Sequence, residues 1–247
     1  YFNYAIFTNI SPDHIGPGEH ADFEEYLYYK TRLLNMCGIG LVNKDDKHAP
    51  QIIKAANCEL YTYSEESKEA DFVASDIRYV SQPDFVGTEF HISGKYDMEV
   101  RLGIPGLFNV VNALAAVSVC SFLGLDQARI SHALENIRVN GRMEIVYTSE
   151  RCTVLVDYAH NAVSMESLLS TLRDYKPKRL VCVFGCGGNR SKDRRYSMGE
   201  IGGKLADLSI ITADNSRYEK VEDIIADIRG SIEKTGGRFI EIPDRRE

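Results

Sequence analysis

Apolar positions in this 247-residue chain follow two rhythms, and the rhythm changes near residue 142. Beyond that point come short continuous runs at Val154–Val156, Leu180–Phe184, Leu208–Ile211 and Phe239–Ile242. Unbroken runs predict strands buried on both faces. Between them apolar residues recur at helical spacing. Met165, Leu168, Leu169 and Leu172 share one face, as do Met198, Ile201 and Leu205, and then Val221, Ile224, Ile225, Ile228 and Ile232. The resulting βαβαβαβ order predicts an α/β fold with a mostly parallel sheet and right-handed crossovers. Ligands of such sheets bind beyond the carboxyl ends of the strands. The polar clusters Asp157–His160, Gly185–Arg190, Asp214–Arg217 and Asp244 fall there.

The first part is mixed. A strand over residues 4–9 leads through a loop to a helix over 22–37, capped by Asp22 with Glu25 three residues on. A strand follows near Gly40–Val42. Residues 72–103 read as β-hairpins with turns at Gly87 and Ser93–Gly94. An apolar helix starts near Asn109. The stretch Leu107–Leu125 is about long enough to cross a bilayer, but Asn109, Asn112 and its many Ala and Ser residues favour a buried helix. The expected division is 1–140 and 141–247, with the boundary near Val139–Arg142. Tyr1 opens the chain without an initiator methionine, and Asp244–Glu247 ends it just after a strand, so a fragment cut at both ends is expected.

Composition narrows the classes. With 44% apolar residues a packed core is feasible. The net charge of -7, with no basic block, argues against nucleic acid as a partner. Six cysteines, none in a CxxC pair, disfavour a zinc site and suit reduced cytoplasmic thiols. No membrane partner is expected.

Several residues stand out chemically. Lys30 falls within the stripe Phe23, Tyr26, Leu27, Leu33, Leu34 and Cys37. A lysine forced into a dry interior loses its proton easily, and the neutral amine can add carbon dioxide to form a carbamate that binds magnesium. From spacing alone the plainer reading, a lysine reaching along the seam to water, is favoured. His14 follows a strand and is a candidate metal ligand or general base, although a lone loop histidine is usually neither. Asn109 and Asn112 open an apolar helix; an amide can read adenine, or Asn109 can simply cap the helix. Arg142 at the domain junction can reach phosphate, or be a surface linker arginine. Phe184-Gly185-Cys186-Gly187-Gly188-Asn189-Arg190 resembles a phosphate turn, although Arg190 replaces the last glycine of the dinucleotide fingerprint. GxxxxGK[ST] and GxSxG are both absent.

Taken in order, the motifs resemble the Mur ligases, and among them the UDP-N-acetylmuramoyl-tripeptide synthetases. The resemblance rests on Phe7-Thr8-Asn9-Ile10-Ser11-Pro12-Asp13-His14, Tyr29-Lys30, Asn109 to Ala116, Gly141-Arg142-Met143-Glu144, Val156-Asp157-Tyr158-Ala159-His160, Phe184 to Arg190, and Asp214-Asn215-Ser216-Arg217. It spans nearly the whole chain. It implies part of a central ATPase-type domain followed by a C-terminal Rossmann-like domain. It also implies an ATP-dependent acid–amino-acid ligase, with ATP and magnesium (Mg2+) as cofactors. UDP-N-acetylmuramoyl dipeptide and meso-diaminopimelate would be its partners.

On this resemblance Lys30 is the carbamylated lysine and His14 a magnesium ligand. Asn112, with Asn109 behind it, contacts adenine; Arg142 touches phosphate; Asp157, with His160 beside it, holds ribose. Arg190, Asp214, Asn215 and Arg217 bind the incoming diamino acid. The implied chemistry activates a carboxylate as an acyl phosphate, which the amine then attacks. The chain departs from the family at Ser216, where proline is usual. The phosphate loop and UDP-sugar domain would precede residue 1, so this chain alone is expected to be inactive. Alternatives are a lysine-adding or folylpolyglutamate-type ligase, and a non-catalytic nucleotide-binding module.

Overall fold

The computed structural model describes residues 1–12, 15–16 and 19–247. They form two compact units, Tyr1–Arg138 and Val139–Glu247.

The first unit is built on a six-stranded sheet whose spatial order follows the sequence: β1 (Phe2–Phe7), β2 (Cys37–Asn43), β3 (Glu59–Ser64), β4 (Phe72–Gln82), β5 (Phe85–Gly94) and β6 (Met98–Leu102). Strands β1 to β4 pair in parallel, and β4 to β6 pair antiparallel. Four helices accompany them: α1 (Phe23–Thr31), α2 (Ala49–Ala55), α3 (Leu107–Phe122) and α4 (Gln127–Asn136). Neighbouring residues of a strand point to opposite faces. On β2, Leu41 joins a core with Phe72, Phe90 and Leu114, whereas Val42 joins another with Phe7, Leu27 and Ile52. The parallel part of the sheet is therefore buried on both sides, as continuous apolar strands require.

Three expectations for this unit need correction. The helix over 22–37 ends as an α-helix at Thr31, tightens into a 3-10 turn at Arg32–Asn35, and Cys37 already belongs to β2. Its cap is as expected, since the Asp22 side chain accepts the Glu25 amide at 2.8 Å. Gly87 lies inside β5, not in a turn; a Cβ there would overlap the Leu102 carbonyl of β6, so strand pairing demands glycine. Helix α3 begins at Leu107 behind Gly106, whose φ of 105° suits glycine, and Asn109 does not cap it. Among the described residues, no helix is long and apolar enough to cross a membrane.

The second unit contains β7 (Glu144–Thr148), β8 (Thr153–Val156), α5 (Ala162–Asp174), β9 (Val181–Phe184), α6 (Lys192–Leu205), β10 (Leu208–Thr212), α7 (Val221–Thr235) and β11 (Phe239–Ile242). A three-stranded parallel sheet runs β11-β10-β9. The run Val154–Val156 does not join it, contrary to expectation. Strand β8 pairs antiparallel with β7 in a separate ribbon, and Val154 and Val156 are exposed. The reason is proximity: the Ser149–Cys152 turn, closed by a 2.9 Å hydrogen bond, makes the local hairpin the cheaper loop to close. The core joins Met165 and Leu169 of α5, Met198 of α6, and Ile224, Ile225, Ile228 and Ile232 of α7 to Phe184 and Ile211 of the sheet.

Candidate functional site

Two side-chain clusters form in the second unit, each where a strand ends. The first follows β8. Asp157 is half-buried and accepts two backbone amides, Met143 N–H on Oδ2 and Ala159 N–H on Oδ1, both at 2.8 Å. Met143 has a left-handed φ of 45°, a conformation unusual outside glycine and asparagine. The carboxylate therefore secures a strained segment and also fixes the start of the loop after β8. Each oxygen keeps a lone pair for a further donor. Arg142 is exposed and stacks its guanidinium 4.9 Å above the Tyr158 ring. His160 packs against the same ring from 5.2 Å, edge to face. Arg142 and His160, singled out from sequence, thus meet on the ring of Tyr158, to which the sequence assigned no role, and Asp157 is its chain neighbour. An imidazole and a guanidinium on an aromatic plate, with a carboxylate beside them in the chain, suit a sugar carrying phosphate.

The second cluster occupies the carboxyl ends of β9 and β10. In register, Phe184 faces Ile211, so the turn Gly185–Arg190 and the loop Ala213–Glu219 leave the sheet side by side. They are laced together. Gly188 N–H donates to the Asn215 carbonyl at 2.8 Å, Tyr218 N–H to Asn189 Oδ1 at 3.2 Å, and Asn189 N–H to Glu219 Oε1. A Cβ on Gly188 would overlap the Ser216 carbonyl oxygen, so this close approach requires glycine. Beneath the turn, Cys186 is buried, and burial pushes its thiol up to about 11 although Arg195 pulls the other way. It is not a nucleophile at neutral pH.

Arg190, Asp214, Asn215 and Arg217 all lie exposed on these two laced segments. Asp214 has a cationic neighbour that sequence reading missed, Arg245 at 3.9 Å. Arg217 holds a left-handed φ of 52°. Glu219, two residues on, is not paired with Arg217. Glu219 turns instead to Arg195 at 2.7 Å. Arg195 also escaped sequence reading, hidden in the polar first turns of α6 although it is one of the most buried side chains in the chain.

The first unit carries the remaining candidates. His14 lies outside the described residues. Lys30 is exposed, so the argument from a dry interior fails. The stripe of α1 runs through Tyr26, Leu27 and Thr31, and the change to a 3-10 turn carries it on to Leu34 without passing Lys30. The Lys30 Nζ sits 5.3 Å from the centre of the Tyr26 ring. Asn112 is exposed on α3, not buried, in line with Phe108 and Ala116. Asn109 is half-buried and donates to the Pro105 carbonyl at 2.7 Å, which ties the helix to its entry loop.

Comparison with known proteins adds to this geometry. The pattern of the Mur ligase middle domain matches residues 1–120, and that of the Mur ligase, glutamate ligase domain matches residues 141–247. A UDP-N-acetylmuramoyl-L-alanyl-D-glutamate–2,6-diaminopimelate ligase of Clostridium acetobutylicum is 39% identical over 99% of this chain and 50% of its own length. One from Caldanaerobacter subterraneus is 36% identical over 100% of the chain and 50% of its own length. A solved structure of a ligase of that name superposes with a TM-score of 0.74 at 32% identity, covering 99% of this chain and 50% of that one. A folylpolyglutamate synthase of Thermotoga maritima shares the fold, with a TM-score of 0.64 at 20% identity over 83% of this chain and 47% of its own. The chain spans about half the length of the curated relatives it matches.

Proposed function

The chain belongs to the Mur ligase family, and from that premise we propose that it serves in the ATP-dependent joining of meso-diaminopimelate to UDP-N-acetylmuramoyl-L-alanyl-D-glutamate in peptidoglycan precursor synthesis. The observation that carries this reading is the lacing of the two loops after β9 and β10, which holds Arg190, Asp214, Asn215 and Arg217 on one pair of segments. Residues 1–140 would act as part of the ATP-binding middle domain and 141–247 as the C-terminal domain.

Diaminopimelate ends in a carboxylate beside an ammonium. A guanidinium grips a carboxylate through two parallel hydrogen bonds, so Arg217 takes the distal carboxylate and Asp214 the neighbouring ammonium. Arg190 and Asn215 complete the pocket. ATP supplies the phosphoryl group that activates the dipeptide carboxylate. The chain's own part is to hold the nucleotide. The remaining lone pairs of Asp157 take ribose hydroxyls, with His160 at its side, and Arg142 on Tyr158 meets phosphate. Asn112, with Asn109 behind it, reads adenine from the exposed side of α3. Holding nucleotide and amine in fixed orientations lowers the entropic part of the barrier.

Magnesium is a different matter. The proposed ligands His14 and carbamylated Lys30 rest on family resemblance. Lys30 is exposed on α1 and His14 lies outside the described residues; bound there, the metal would neutralise phosphate charge.

The test is product analysis. The full-length enzyme carrying this sequence, given ATP, magnesium, the UDP-muramoyl dipeptide and meso-diaminopimelate, should yield a nucleotide product heavier by one diaminopimelyl residue. ADP release should require both acceptor and amino acid. ADP release without that product would refute the reading.

A further inference from the structure

Arg195 is 1% exposed, an extreme position for a side chain that cannot give up its charge. Its Nη2 donates to Glu219 at 2.7 Å and its Nη1 to Asp227 at 2.9 Å, and Lys192 reaches Asp227 at 3.1 Å. Two cations thus meet two anions. The Nε of Arg195 has no hydrogen-bond partner among the described residues, so the two carboxylates alone aim the guanidinium.

This arrangement does more than hold α6 to α7. Apolar side chains of the same volume would serve that packing as well, since a buried ion pair rarely outweighs a hydrophobic replacement. What such a replacement would lose is the hold on Glu219. That carboxylate also accepts the Asn189 amide, next to Arg190, and lies two residues after Arg217. Asn189 and Arg217 both hold left-handed backbone, with φ of 51° and 52°. Non-glycine residues keep such conformations where their surroundings over-determine them. Here the Asn189 side chain accepts Tyr218 N–H on one side of the strained Arg217, and Arg195 pins Glu219 on the same side.

We propose that Arg195 is a positioning residue. Acting through Glu219, it locks the turn carrying Arg190 to the loop carrying Arg217, so that the anionic end of the incoming diamino acid meets two preset guanidinium groups. This rests on the function proposed above. Arg195 touches no substrate; it removes the loop motion that binding would otherwise have to arrest.

The experiment has two arms. In the first, hydrogen exchange is followed in this 247-residue chain and its Glu219→Gln and Glu219→Ala variants. The Asn189 and Tyr218 amides should exchange at least about tenfold faster in Glu219→Ala, with the amides of β10 unchanged and Glu219→Gln intermediate. Equal exchange in all three proteins would overturn the brace. In the second arm, the full-length enzyme and its Arg195→Met, Arg195→Lys and Glu219→Ala variants are assayed. The diaminopimelate KM should rise about tenfold or more, because small misplacements of binding groups are costly. The ATP KM should stay within about twofold. Arg195→Lys should resemble Arg195→Met, since an ammonium cannot bridge both carboxylates as a planar guanidinium does. Should Arg195→Met fold poorly, Glu219→Ala carries the same test. Faster exchange with an unchanged diaminopimelate KM would overturn the positioning role. Wild-type enzyme that does not use diaminopimelate would instead refute the function, and the exchange arm would still decide the brace.

Discussion

The Asp157 carboxylate accepts the backbone N–H of Met143 at 2.8 Å, from a residue fourteen positions earlier that holds a left-handed conformation. Asp157 therefore has a structural duty besides its proposed contact with ribose. Asp157→Ala should destabilise the chain by about 2 kcal/mol or more, since it orphans two amides bound to a charged acceptor. Asp157→Asn, which keeps one acceptor oxygen, should cost less. In the full-length enzyme both should raise the ATP KM more than the diaminopimelate KM. Urea unfolding and paired KM measurements check this; a shift confined to the diaminopimelate constant contradicts the ribose assignment.

Much of this was legible in the chain. Continuous apolar runs located β9, β10 and β11, and helical spacing located α5, α6 and α7, which share one core; the expected burial of the strands on both faces fails at the sheet edges, where Val181 and Val183 of β9 and Ile240 of β11 are exposed. Other elements escaped. Helix α2 has too few residues for a period to show, Glu59, Thr62 and Ser64 break the apolar run of β3, and β8 reads as a core strand although its partner β7 lies just across a tight turn. Lys30 was misplaced because a uniform 3.6-residue period was carried through Arg32–Asn35, where the backbone tightens to a 3-10 turn. The motif residues of the second unit could be found from their places at strand ends. Arg195, Glu219 and Asp227 could not, since nothing in a polar helix start distinguishes a buried arginine from a solvated one.

Acid should weaken the Arg195 brace in a defined sense. Glu219 is held below its ordinary value of 4.5, mainly by its hydrogen bond with Arg195 and then by the Asn189 amide. Burial alone would raise Asp227 above its ordinary 3.8, but Arg195 and Lys192 outweigh burial and lower it. A carboxylate lowered in the folded state adds stability that is fully present above its unfolded value and is lost as pH falls through its folded value. The stability gap between wild type and Glu219→Gln should therefore be constant above about pH 5 and shrink below about pH 4. Thermal unfolding from pH 7 to 3 measures it. A gap that widens on acidification contradicts the brace.

Thiol reactivity should follow burial. Burial pushes Cys182 up to about 12 and Cys37 to about 11, the latter with help from neighbouring Cys58. Cys152 is exposed on the turn between β7 and β8. A thiol reagent at pH 7.5 should label Cys152 first and leave Cys37, Cys182 and Cys186 unmodified until the chain unfolds. Peptide mapping by mass spectrometry decides; early labelling of Cys186 would contradict the packing of the turn it supports.

Gly188 and the Ser216 carbonyl are in such close approach that no side chain fits between them. Gly188→Ala should cost about 2 kcal/mol or more and should raise the diaminopimelate KM of the full-length enzyme, because the laced loops must part. Gly187→Ala is the control, since a Cβ there would lie 3.6 Å from the Asn215 carbonyl, an ordinary contact. Urea unfolding of both variants tests the difference; equal stabilities would contradict the lacing.

The central claim is that the laced arginine loops select an amino acid with a distal carboxylate. The most direct measurement compares kcat/KM for meso-diaminopimelate and L-lysine in the full-length enzyme, with wild type and Arg217→Ala side by side. Lysine leaves the Arg217 guanidinium without its carboxylate, and truncating one partner of such a pair costs about 2–5 kcal/mol. At roughly 1.4 kcal/mol per tenfold, wild type should prefer diaminopimelate by at least about thirtyfold, and Arg217→Ala should lose most of that preference. A wild type that prefers lysine, or an Arg217→Ala enzyme that keeps the full preference for diaminopimelate, would contradict the account.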